Sequence, residues 1–119
     1  MIQKGTNLIP MDKNGVWSVC TFHLYGGFFK KNSSVGGFLK ISVKKIKNNK
    51  WLVKKTKSKS IIILTRFNLK KNDFSMIKFK INSCLLLKKR LSPIGQIIFG
   101  PSIILIRRKK FIYSFSGIL

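Results

Sequence analysis

Glutamate and alanine are missing altogether from this 119-residue chain, and aspartate occurs only as Asp12 and Asp73. Set against 25 lysines and arginines, two acids leave a formal net charge of +23. Internal ion pairs can neutralise only a token part of that charge. A compact body so positive repels itself and gathers polyanions, so a permanent anionic partner is expected: nucleic acid or an anionic membrane surface. The same shortage excludes paired-carboxylate acid–base chemistry. Histidine occurs once, as His23, and cysteine twice, as Cys20 and Cys84, with no CxxC. Three soft ligands and no fourth make a zinc centre or other cofactor unexpected, and the thiols read as buried and free. A phosphate-cradling GxxxxGK[ST] loop is lacking too, so no catalytic residue is assigned and no enzyme is expected.

Long apolar runs are also scarce. The longest weakly polar stretch, Gln96 to Ile106, is broken by Gly100, Pro101 and Ser102, and falls short of the ~20 residues of a spanning helix. Membrane insertion is not expected. The opening "MIQKGTNLIP" has neither an apolar signal core nor the arginine- and serine-rich amphipathic pattern of a transit peptide. Lysine, isoleucine, asparagine and phenylalanine, whose codons are rich in A and T, abound where alanine is absent. That bias fits an AT-rich organellar genome, with an AT-rich bacterium as the alternative, and a protein encoded and translated inside an organelle is the expectation.

What is present alternates with period two. Val19–Tyr25 reads as a strand with Cys20, Phe22 and Leu24 on one face and Thr21, His23 and Tyr25 on the other, which would keep Cys20 and His23 apart. Leu39–Lys44 places Leu39, Ile41 and Val43 inward, and Met76–Asn82 does the same with Ile77, Phe79 and Ile81. The apolar runs Ser60–Thr65 and Cys84–Leu87 suit strands buried on both sides. Asn14-Gly15 signals a tight hairpin, Gly26-Gly27 and Gly36-Gly37 bracket a loop, and "KIKNNK" (45–50) and "FNLKKND" (67–73) are polar loops. Five or six short strands without a long helical period predict a mainly β chain, a small β-barrel over about 1–92. The remainder, about 93–119, is a short helical or irregular extension of the same single domain. It opens with the uncharged strip "PIGQIIFGP" (93–101), which reads either as the element leaving the barrel or as a plain core strand.

The basic residues sit mostly as doublets where strands end: Lys30-Lys31, Lys44-Lys45, Lys54-Lys55, Lys70-Lys71, Lys88-Lys89 and Arg107-Arg108, with Lys110 beyond. Charge scattered over barrel rims suits backbone contacts with a folded, many-sided RNA better than a single duplex groove. Two other classes compete. A lipid-bound peripheral protein calls for a basic amphipathic helix, which the strands argue against. A barrel that binds single-stranded nucleic acid calls for exposed aromatics on the sheet, whereas most aromatics here read as inward-facing or in loops such as Phe28-Phe29.

"MIQKGTNLIPMDKNG", Gly26-Gly27 before Lys30-Lys31, Ile41–Lys44, Val53–Lys55, the stretch from Ser60 to Leu86 and "PIGQIIFGP" with Arg107, Lys110 and Phe111 after it together resemble the universal large-subunit ribosomal protein number fourteen family. The resemblance covers essentially the whole chain. It implies a five-stranded barrel docked on large-subunit rRNA beside neighbouring large-subunit proteins, reaching small-subunit rRNA in an intersubunit bridge and meeting a ribosome-silencing factor. The basic residues named above, together with Arg66, are the expected rRNA contacts, with Lys88 and Lys89 as additions to the family pattern. Gly95, Gln96, Ile97, Leu105 and Tyr113 would lie at the protein or small-subunit interface. The chain departs from the family pattern with Gln96 for threonine, Ile97 for arginine, Tyr113 for lysine and Leu105 for an acid. Phe74 replaces a glycine, and Lys88 and Lys89 replace asparagines.

Overall fold

The computed structural model describes residues 1–12, 14–47, 53–95, 97–102 and the backbone of 117–118. Five strands close a barrel in the order β1 (Asn7–Pro10), β2 (Val16–Leu24), β3 (Phe38–Ile46), β4 (Lys57–Leu64) and β7 (Ser83–Leu87). Neighbours run antiparallel except β1 and β7, which pair in parallel to complete the circle. Two short ribbons lie outside it: β5 (Leu69–Lys70) with β6 (Met76–Ile77), and β8 (Ile97–Ile98) with β9 (Gly117–Ile118). No helix occurs among the described residues, and so none is long and apolar enough to cross a membrane.

The barrel interior is filled by Leu8, Val19, Leu24, Leu39, Ile41, Val43, Ile62, Cys84 and Leu86, all buried. β3 keeps the alternation its sequence announces: Leu39, Ile41 and Val43 are inside, while Lys40, Ser42 and Lys44 point out. Residues 60–64 of β4 and all of β7 are buried on both sides, as their unbroken apolar runs require. Their outer residues Ile61, Ile63, Leu85 and Leu87 form a second apolar cluster, covered by Ile98 with Met11, Phe38, Phe79 and Leu91. Part of that cover is the uncharged strip after Pro93. Ile94 donates its amide to Leu86 O at 3.1 Å and Phe99 donates to Met11 O at 2.9 Å, while Pro93 bridges Leu87 and Ile98 bridges Asp12. Ile98 is buried, whereas Phe99 is 44% exposed. The strip is therefore a layer laid across the outside of the barrel.

One strand goes unannounced by its sequence, and two local expectations are corrected. Asn7–Pro10 is a barrel strand although only Leu8 of its four residues is buried, too little alternation for the sequence to display. Met76–Asn82 is not a barrel strand: only Met76 and Ile77 pair, and Ile81 is exposed. Beyond Ile77 the polar groups of this stretch bond to the loop after β4. Phe79 donates to Thr65 O at 3.2 Å, Arg66 Nε donates to Lys80 O at 2.8 Å, and the Arg66 amide donates to Asn82 Oδ1 at 2.8 Å. In β2 the faces are exchanged. Val19 and Thr21 point inward, and a register shift between Thr21 and His23 turns Leu24 in while Phe22 and His23 both stay exposed. A β-bulge of this kind adds a residue and resets the alternation. Cys20 is thus on the same side as His23, half-buried, with its Sγ 3.8 Å from Thr21 O.

Candidate nucleic-acid interface

The strand connections gather basic residues that are far apart in sequence. Lys44 and Lys45 end β3, and the turn carrying Lys54 and Lys55 folds back on it, with Lys55 N donating to Val43 O at 2.9 Å. All four side chains are exposed. Lys55 takes a left-handed φ of 66°, which reverses the chain before β4. Lys31 is exposed in the β2–β3 loop, while Lys30 is half-buried and donates from Nζ to Tyr25 O at 3.3 Å. Lys70 and Lys71 stand exposed on the β5–β6 ribbon, apart from the barrel rim.

Arg66 is exposed yet fixed by its bond to Lys80 O, and it lines a 480 Å³ cleft with Lys78, Phe79 and Lys80. Lys88 and Lys89 open a second, 430 Å³ cleft together with Lys40, Lys57 and Lys59. These last three lysines, with Lys78 and Lys80, belong to no basic doublet. Their signal is alternation: Lys57-Ser-Lys59 and Lys78-Phe-Lys80 place like charges two residues apart, hence on one side of an extended chain.

Neither acid opposes these groups. Asp12 is buried, accepting from Asn14 Nδ2 at 2.7 Å and from Gly95 N at 3.2 Å. Burial pushes its carboxyl up to about 6, even though these hydrogen bonds favour the anion. Asp73 is exposed and accepts from Ser75 Oγ at 2.6 Å and Ser75 N at 3.1 Å, bonds that hold its carboxyl below the usual range. Of the interface residues, Gly95 is buried against Asp12 and Ile97 is half-buried in β8. Gln96, Leu105, Arg107, Arg108, Lys110 and Tyr113 lie outside the described residues.

Aromatic rings are more exposed than the alternation implies. Phe28 and Phe29 are 90% and 86% exposed at the β2–β3 loop, with centroids 4.2 Å apart. Trp17 and Phe22 are exposed on β2 itself, which corrects the expectation of inward-facing aromatics there. Lys57 Nζ lies 5.9 Å from the Phe22 ring, and Lys70 Nζ lies 4.8 Å from the Phe74 ring. Such pairs mix positive charge with flat apolar surface, a combination suited to nucleotides.

Catalytic chemistry finds little to work with. His23 is exposed with its ring edge-on to Tyr25 at 4.9 Å. Cys84 is fully buried, which raises its thiol far above the usual range and keeps it protonated and inert. Among the described residues no three metal-ligating side chains come together.

Residues 1–116 match the family model described as ribosomal protein L14p/L23e. Over 117 residues the chain is 56% identical to the large ribosomal subunit protein uL14m of Tetrahymena pyriformis, covering 98% of each sequence. Matched along nearly its whole length by a ribosomal-protein family, the chain is a structural component rather than an enzyme: it belongs to the ribosomal protein L14p/L23e family.

Proposed function

We infer that this protein is a structural constituent of the mitochondrial large ribosomal subunit, where it binds large-subunit rRNA by neutralising packed phosphates. The observation that carries this is the disposition of charge. Exposed lysines flank the strand ends and line two clefts, while one acid is buried and the other is bonded to its own turn. The Tetrahymena relative, a mitochondrial large-subunit protein, supports the compartment, and the base-composition bias supports an organelle-encoded gene. Lys30, Lys31, Lys44, Lys45, Lys54, Lys55, Arg66, Lys70, Lys71, Lys88, Lys89, Arg107, Arg108 and Lys110 are the proposed rRNA contacts.

We place the strip beginning at Pro93 at the intersubunit face, with Gly95, Gln96, Ile97, Leu105 and Tyr113 toward neighbouring proteins, small-subunit rRNA and a silencing factor. The domain is single, with about 1–92 forming the barrel and about 93–119 the extension. Uncharged Gln96 and Ile97 weaken any phosphate contact there and favour a protein neighbour.

Fractionating mitochondria in high-magnesium buffer tests this. The protein should sediment with large subunits and leave them as salt rises. Recovery with membranes, or free in the soluble fraction, would overturn it. The exposed Trp17, Phe28 and Phe29 favour a second reading, a single-strand-binding barrel outside the ribosome, which predicts cosedimentation with extraribosomal RNA instead.

A further inference from the structure

Around the 430 Å³ cleft, five lysines meet on one outer face of the barrel. Lys40 and Lys59 are register partners on β3 and β4, so their stems leave adjacent strands side by side. Lys57 follows on the same face two residues along. Lys88 and Lys89 enter from the turn after β7, whose Leu87 is in turn the register partner of Lys59. Tyr25 closes one wall. Like charges placed directly opposite on a sheet destabilise it, and no carboxylate side chain relieves them: no acid lines the cleft, Asp12 is buried against Gly95, and Asp73 is bonded to Ser75.

A ligand is what offsets such a cost. The doublets Lys44-Lys45, Lys54-Lys55 and Lys70-Lys71 stand exposed outside this cleft, where each lysine can reach one phosphate of a passing strand. A regular duplex is itself convex and can place little of its backbone in a concavity of this size. A backbone that reverses sharply does the opposite. It folds phosphates toward one another and needs concentrated countercharge, which lysines supply as mobile point charges free of a fixed fork geometry. We propose that the Lys40–Lys57–Lys59–Lys88–Lys89 cleft is a discrete polyphosphate site that seats a sharply turned RNA backbone. This rests on RNA being the partner, as inferred above. It adds where the phosphates crowd and which RNA shape the chain selects.

The test uses the full chain and two synthetic RNAs of equal length and charge, one with a tight kink between two helices and one an uninterrupted duplex. The wild type should bind the kinked RNA about tenfold more tightly, which corresponds to about 1.4 kcal/mol. Lys59→Gln/Lys88→Gln, which keeps most of each stem, should bring the two affinities within about twofold of each other. Lys4→Gln/Lys47→Gln removes two exposed lysines elsewhere and should weaken both complexes while leaving their ratio intact. Thermal unfolding of both variants checks that the barrel persists.

Equal, steeply salt-dependent binding of both RNAs by the wild type would overturn the cleft site and leave the rRNA reading standing. A kink preference that survives in the cleft variant would overturn it as well. Binding that ignores salt would sink both. Poly-glutamate held by the wild type and released by the cleft variant, with RNA binding unchanged, would assign the cleft to an acidic polypeptide and overturn the proposal.

Discussion

Asp12 sits where most proteins would place an apolar side chain, under a glycine. A Cβ on Gly95 would lie 2.8 Å from Asp12 Cβ and 2.9 Å from Oδ2, so only glycine lets the strip lie close enough to donate its amide. Gly95→Ala should cost roughly 1–3 kcal/mol of stability, read from urea midpoints, because it forces an overlap and lengthens a buried bond. The carboxyl also gives the fold a pH dependence of definite sign. Its folded value, about 6, lies above the ordinary 3.8. Between those limits the native state binds more protons than the unfolded chain, so this contribution is full below 3.8 and is lost as pH rises to about 6. The difference is worth roughly 3 kcal/mol. Urea midpoints from pH 4 to 6.5 should fall in the wild type and stay level in Asp12→Asn. Asp73, with its value lowered, acts in the opposite sense and below 3.8, outside that window.

Phe74 shows a different residue-scale constraint at the tip of the β5–β6 ribbon. It keeps a left-handed φ of 66°, a conformation that glycine adopts freely and phenylalanine at a cost. Asp73 and the Lys71 N to Ser75 O bond of 2.8 Å hold the turn in that shape. Phe74→Gly should slow exchange of the Lys71 amide about twofold to fivefold, since strain relief exceeds the lost contact with Lys70.

At the scale of the element, β4 and β7 carry the stability because both of their faces are covered. Leu85 on the outside and Leu86 on the inside are equally buried, so each should cost roughly 2–5 kcal/mol when cut to alanine. A barrel with a wet exterior would lose stability only at Leu86, and paired urea titrations separate the two cases. This double burial was legible in the unbroken runs at 60–65 and 84–87, and β3 was legible in its alternation. Three things were not. Asn7–Pro10 buries too little to show a period, the bulge in β2 is a local insertion with no composition of its own, and Met76–Asn82 alternates without finding a partner strand. The strip after Pro93 left two readings open because an outer layer and a core strand are equally apolar. For the interface, doublets disclosed most of the lysines at turns but only Lys88 and Lys89 of those lining the two clefts. Those at Lys40, Lys57 and Lys59 become a group only when β3 and β4 pair.

For the whole molecule, net charge decides. The free chain carries +23 with almost nothing to balance it, so screening should raise its stability while weakening any complex with a polyanion. These two opposite salt dependences separate self-repulsion from phosphate binding, because only the second involves counterion release. The most direct measurement is the affinity for large-subunit rRNA as a function of salt concentration. Each neutralised phosphate contributes a slope of about 0.7–0.9 in log affinity against log salt, so ten contacts should give a decline of about 7–9. A slope near zero, with binding intact, would contradict the claim that lysines held on a stiff barrel bind this RNA through its phosphates.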